Sequence, residues 1–150
     1  ESKFSDTSYA DRVYSHFTDA IKRSATTRMV AFSSLHVEGT LILMDKMEEI
    51  GIRSYIGKVN MDRNSPDELR EESPEKAAQD TERWLRECVK RGYRYTKPII
   101  TPRFVPSCSD ELMEKLSKIR KEWRLPVQSH LSENMGEVEF VKELAPWSKF

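Results

Sequence analysis

A chain of 150 residues, 37% of them hydrophobic, can bury one sizeable core, and nothing in that length demands a second domain. Its 25 Lys plus Arg balance 25 Asp plus Glu, so bulk charge favours neither nucleic acid nor an anionic membrane as partner, and its two cysteines, Cys88 and Cys108, form no CxxC pair, which argues against a disulfide framework or a thiolate zinc site. The longest apolar run, Leu41-Ile42-Leu43-Met44, is too short to cross a bilayer, and Glu1-Ser2-Lys3-Phe4 lacks the features of a signal peptide; the expectation is a soluble, untargeted, cytoplasmic protein.

From the N-terminus, Tyr9, Val13, Phe17 and Ile21 recur every four residues and predict a helix over about Ser8 to Arg23 with that stripe inward. Met29-Val30-Ala31-Phe32 predicts a buried strand within Thr27 to Leu35. A helix follows, with Leu41, Leu43, Met44 and Met47 on its buried face and Gly51 at its C-cap, and Ile52 to Met61 forms the second strand. Arg63-Asn64-Ser65-Pro66-Asp67 is polar and proline-broken, a surface loop. Ser73-Pro74-Glu75 opens the next helix with a serine cap, a proline in the first turn and an early carboxylate; Gly92 stops it after Arg91. Lys97 to Thr101 is the third strand, Ser109-Asp110-Glu111 starts a helix ending near Trp123, Leu125 to Leu131 is the fourth strand, and a last helix covers Met135 to Leu144. The cysteines, Trp84, Trp123, Trp147 and the charged runs Glu68 to Glu72 and Lys118 to Lys121 read as core or solvated helix faces.

At least one helix separates every two strands, so the class is α/β with parallel strands joined by crossovers. Either an open doubly wound sheet or part of a closed (β/α)8 barrel satisfies that order. No GxGxxG or GxxxxGK[ST] follows a strand, so a phosphate-cradling nucleotide fold lacks support.

In both architectures the C-terminal strand ends carry the site. Here they read Ser33-Ser34-Leu35-His36, Asn60-Met61-Asp62-Arg63-Asn64, Thr101-Pro102-Arg103-Phe104 and Ser129-His130-Leu131-Ser132-Glu133-Asn134, richer in reactive groups than turns require. His130 can ligate a metal through a neutral imidazole nitrogen or bond a nearby backbone group. Glu133, three residues on, can shuttle a proton or stabilise a helix N-terminus. Arg103 can clamp a carbonyl oxygen or anion beside Phe104, which can pack on a flat ring; taken alone, the pair would be a surface ion-pair residue next to a core aromatic. Asp62 and Asn64 could line a pocket or be ordinary loop residues, with the structural reading favoured for them and for the strand-end His36.

Three runs in order, Gly57-Lys58-Val59-Asn60-Met61-Asp62, Pro98-Ile99-Ile100-Thr101-Pro102-Arg103-Phe104 and Gln128-Ser129-His130-Leu131-Ser132-Glu133-Asn134, resemble the guanine deaminase family, zinc enzymes of the amidohydrolase superfamily. The resemblance spans nearly the whole chain and includes Ser107-Cys108-Ser109 and Thr26-Thr27. It implies that residues 1–150 are part of one catalytic (β/α)8 barrel, about half of it, matching the second to fifth βα units. It implies a hydrolase of purine catabolism that converts guanine to xanthine and ammonia, with one zinc in the complete enzyme and a homodimeric assembly. By residue, it implies His130 as a zinc ligand, Glu133 as the catalytic proton carrier, and Arg103, Phe104 and the run His130, Leu131, Ser132 and Glu133 as the substrate-binding set. The family's other zinc ligands, an H-x-H pair, a further histidine and an aspartate, have no match: besides His130 there are only His16 and His36.

Two other readings stay open at this level. One is another amidohydrolase acting on an aminated or halogenated heterocycle; the other is a non-catalytic truncated barrel serving as scaffold or oligomerisation module. A catalytic zinc takes three protein ligands plus water. With one matched ligand, the 150-residue chain expressed alone is expected to hold no stoichiometric zinc and to show no deaminase activity; one tightly bound zinc per chain on metal analysis, together with guanine turnover, would overturn that.

Overall fold

The computed structural model describes residues 1–147 and shows a layer of helices over parallel strands. A 3-10 turn at Ser2–Ser5 precedes α1 (Thr7–Lys22), β1 (Arg28–Phe32), α2 (Val37–Glu49), β2 (Arg53–Gly57) and β3 (Val59–Asn60). After a 3-10 turn at Asp67–Leu69 come α3 (Pro74–Arg91), β4 (Thr96–Pro98), β5 (Thr101–Pro102), a 3-10 turn at Val105–Ser107, α4 (Asp110–Trp123) and α5 (Met135–Leu144).

Helix boundaries follow from the caps. The Asp6 side chain accepts from Ser8 and Tyr9 N–H, Ser73 from Lys76 N–H, Ser109 from Leu112 N–H and Asn134 from Glu137 N–H, each satisfying donors that a helix start leaves free. Gly92 ends α3 at φ 62°, a left-handed geometry that costs glycine nothing, and its N–H returns to Cys88 and Val89 carbonyls.

Strands pair in parallel in the order β1-β2-β4, with Val30 opposite Tyr55 and Tyr55 opposite Lys97. A second ladder pairs β3 with β5, and Ser33 N–H to Gly57 O and Val59 N–H to Ser34 O carry the first array into the second. The second and third predicted strands are therefore each broken in two, at Lys58 and at Ile99-Ile100.

On one side the sheet meets α1 to α4 through a core containing Met44, Met47, Ile56, Trp84, Leu85, Leu112 and Leu116. The other side is open: Val30 is 60% and Tyr55 38% exposed, and β1 has a partner on one edge only among the described residues. The expectation of a buried first strand thus fails, because only its Met29 face packs on the core. The inward stripe of α1 also differs from expectation: Ala10, Tyr14 and Thr18 are buried, about 100° round from the Tyr9–Phe17 stripe. Tyr14 OH meets Ser33 Oγ at 3.0 Å, which turns that side of the helix to the sheet.

The fourth predicted strand is reduced to one parallel bridge between Ile100 and Val127. Its backbone still follows the array: Ile100 N–H donates to Pro126 O, and Gln128 N–H to Ile100 O. Pro102 and Pro126 have no N–H, so the ladder breaks into separate contacts.

Gly57 shows how tightly the array is packed. A Cβ there would lie 1.7 Å from Thr101 Oγ1 and 2.7 Å from the Ile99 carbonyl oxygen. Because the second obstacle is backbone, a rotamer change cannot clear it, and Gly57→Ala is expected to destabilise the protein by about 3 kcal/mol, as overpacking does. A urea midpoint unchanged by the substitution would show that the strands separate freely there.

Candidate active site

Arg103 stands where three strand ends meet. Its N–H donates to Asn60 O at 3.1 Å, its guanidinium Nη1 reaches Met61 Sδ at 3.7 Å, and the guanidinium carbon lies 5.3 Å from the centroid of the Phe104 ring. A planar cation over an aromatic face is held without losing its in-plane donors.

The Arg103 carbonyl accepts from His130 N–H at 2.9 Å, from His130 Nδ1 at 3.1 Å and from Ser129 Oγ at 3.2 Å. A carbonyl oxygen only accepts, so Nδ1 carries the proton, and in the neutral tautomer with that proton the lone pair is at Nε2. The Phe32 ring, 4.3 Å away between centroids, backs the imidazole. Two residues earlier, Gln128 Nε2 donates to Ala31 O at 3.0 Å and to Thr101 Oγ1 at 2.9 Å, tying the His130 segment to the first and third strands.

Beyond His130 the chain turns sharply into α5. Ser132 takes φ 54°, and the buried Glu137 carboxylate accepts from Ser132 N–H at 3.2 Å and Glu133 N–H at 2.6 Å, while Asn134 Oδ1 accepts from Glu137 N–H at 2.9 Å. This carboxylate and amide form a reciprocal cap that fixes the backbone under Glu133. The Glu133 side chain itself is exposed and makes no hydrogen bond or ion pair among the described residues. Leu131 is 72% exposed on the same turn, and Ser132 is exposed beside it.

The structure thus brings Arg103, Phe104 and His130 together, with Leu131, Ser132 and Glu133 on the adjoining turn; no interaction joins Glu133 to His130 or Arg103. Asp62 accepts from Ser109 N–H and Oγ at the start of α4, and Asn64 donates to Pro106 O, contacts that accord with the structural reading of both. His36 occupies the N-cap position of α2, with a buried Nε2 lacking a partner; burial, then the Lys58 charge, lowers its pKa and favours the neutral ring. Burial pushes the Cys88 thiol up to about 12 and raises Cys108 as well, so neither offers a ready thiolate.

The charged run Glu68 to Glu72 departs from its expected solvated role. Glu71 is buried and pairs with the buried Lys58, which also donates to Val59 O and Asn60 Oδ1. Burial pushes the Glu71 carboxyl up, against the opposing pull of the Lys58 charge and hydrogen bond. None of Lys58, Glu71, Gln128 and Glu137 was given a role from the sequence, although Lys58 and Gln128 lie in the runs that carry the family resemblance.

A cavity of about 670 Å³ lies at the opposite end of the strands, between Arg28, Arg53, Tyr55, Arg94, Tyr95 and Lys97. It includes none of the expected site residues. Depth alone therefore does not mark the chemistry here, since one face of the sheet is open.

His130 Nε2 suits one metal bond, and the proton on Nδ1 shared with a carbonyl is the usual support for such a ligand. Among the described residues, however, no group of three or more His, Cys, Asp or Glu side chains could hold a metal ion. The donors present do not by themselves fit a catalytic zinc.

The chain belongs to the amidohydrolase family, whose pattern matches residues 4–148. With the parallel strands and the single helical layer, this makes the array part of an amidohydrolase (β/α)8 barrel. Its relatives include the guanine deaminases of Dictyostelium discoideum, 40% identical, and Homo sapiens, 38% identical, each aligned over 97% of this chain and 32% of its own length. A solved guanine deaminase from C. acetobutylicum, with guanine bound in its active site, superimposes with a TM-score of 0.93 at 44% identity, covering 99% of this chain and 35% of that one. The chain thus spans about a third of the length of these relatives. No helix among the described residues is long and apolar enough to cross a membrane.

The Glu137 cap can be tested directly. Glu137→Ala leaves Ser132 and Glu133 N–H without their acceptor and is expected to cost about 1–3 kcal/mol, with faster amide exchange at both residues. Unchanged exchange at Ser132 and Glu133 would show that the carboxylate does not hold this turn.

Proposed function

We propose that this chain forms the second to fifth βα units of a guanine deaminase, which hydrolyses guanine to xanthine and ammonia. The observation that carries this reading is the Arg103 peptide: its carbonyl orients His130 while its guanidinium and Phe104 form a cation and aromatic pair suited to a flat, carbonyl-bearing ring. The guanine-bound relative of the same fold supports the choice of substrate.

In this role Arg103 donates to the ring carbonyl, Phe104 packs on the purine face, and Leu131 and Ser132 line the same side. Glu133, held on a fixed turn with a free carboxylate, takes a proton from the attacking water and delivers it to the purine ring; the second water proton then passes to the exocyclic amine as the new carbonyl forms, the carbon to nitrogen bond breaks and ammonia leaves. His130 would present Nε2 as one ligand of a zinc ion whose other donors are not among the described residues; such an ion makes water more acidic. A cytoplasmic homodimer, with no nucleic acid or membrane partner, goes with this reading.

The complete enzyme containing this segment is the system to test. Glu133→Gln is expected to lower kcat by about 10²–10⁴-fold, the usual size of a lost general acid or base, with KM changed little. Arg103→Ala should reduce kcat/KM for guanine, and full guanine turnover without that guanidinium would overturn the substrate assignment.

A further inference from the structure

Lys58 and Glu71 form an ion pair in which the side chains are 0% and 5% exposed. All three lysine protons are used: one on Glu71, one on Val59 O at 3.2 Å and one on Asn60 Oδ1 at 3.1 Å. The other Glu71 oxygen accepts from Met61 N–H at 3.0 Å, and Thr81 Oγ1 adds a bond to Asn60 Oδ1 at 2.8 Å. The pair therefore grips three consecutive residues, Val59, Asn60 and Met61. The last two of them matter for the site. These same two residues hold Arg103, Asn60 O at its peptide N–H and Met61 Sδ at its guanidinium.

A buried ion pair is a poor way to gain stability. Charges leave water at a cost that their attraction and hydrogen bonds only roughly repay, and well-packed apolar residues of similar volume often do as well or better. What an apolar pair cannot do is make three hydrogen bonds to the backbone and side chain of one strand end. We propose that Lys58 and Glu71 are positioning residues that fix Arg103 for substrate recognition, acting through Asn60 and Met61.

This rests on the reading of Arg103 as the group that contacts guanine, and the test separates the two. In the complete enzyme, the double variant Lys58→Met/Glu71→Leu replaces the pair with apolar side chains and leaves no lone buried charge. Expected are a melting temperature close to the parent, a kcat/KM for guanine lowered by about tenfold or more through KM, the size that a small misplacement of a binding group produces, and a shifted or broadened Arg103 Nε–H signal in a 15N spectrum. Trp84→Phe, a core change at a residue that takes part in none of these hydrogen bonds, should alter the melting temperature and not KM. A folded double variant with parental KM and an unmoved Arg103 signal overturns the positioning role. Movement of the Arg103 signal with KM unchanged supports positioning and counts against Arg103 as the guanine contact. Should the double variant fail to fold, Glu71→Gln, which removes the charge and leaves one acceptor oxygen where Lys58 and Met61 N–H each used their own, takes its place with the same expected rise in KM and the same overturning result.

Discussion

The Arg103 peptide joins three strand ends, with its N–H on Asn60 O and its carbonyl on the backbone and ring of His130. Because both main-chain groups of one residue are committed, the guanidinium, the imidazole and the second predicted strand cannot shift independently. The tautomer of the neutral His130 ring follows from the same contact: a carbonyl only accepts, so the proton sits on Nδ1 and the lone pair on the outer nitrogen. Gln128 reinforces the arrangement by reaching across to Ala31 and Thr101, compensating for a strand that keeps one bridge where a full ladder was expected.

The helical layer explains why this junction is rigid while the sheet remains open on its other face. Trp84, Met44, Met47 and Leu112 are shielded from water and hold α2, α3 and α4 against the strands. Nothing equivalent covers Val30 and Tyr55 among the described residues. A closed barrel of this family would place further strands there, which accords with the chain spanning about a third of its relatives.

Much of the helical organisation was legible because caps act locally. Ser73, Pro74 and Gly92 bound α3, and Ser109 starts α4, through contacts within four residues. Strand burial was less legible, since Met29-Val30-Ala31-Phe32 looks the same whether one face or two are covered. The stripe on α1 misled for a related reason: Tyr9, Val13 and Phe17 have the right spacing, but the contact to Ser33 selects Tyr14. Glu71 was hidden in an acidic run, where a residue destined for burial beside Lys58 carries the same letter as its exposed neighbours Glu68 and Glu72.

The amino-acid order alone determined the α/β alternation, the helix limits and the strand ends at which Arg103, Phe104, His130 and Glu133 would lie, because periodicity and capping depend on near neighbours. Only the tertiary structure decided that Arg103 O sets the His130 tautomer, that Lys58 meets Glu71, and that Glu137 stands beneath Glu133 with its carboxylate on the turn. The first two contacts link residues 27 and 13 positions apart. Pairings at such separation are chosen by strand register and burial, to which no local pattern is sensitive.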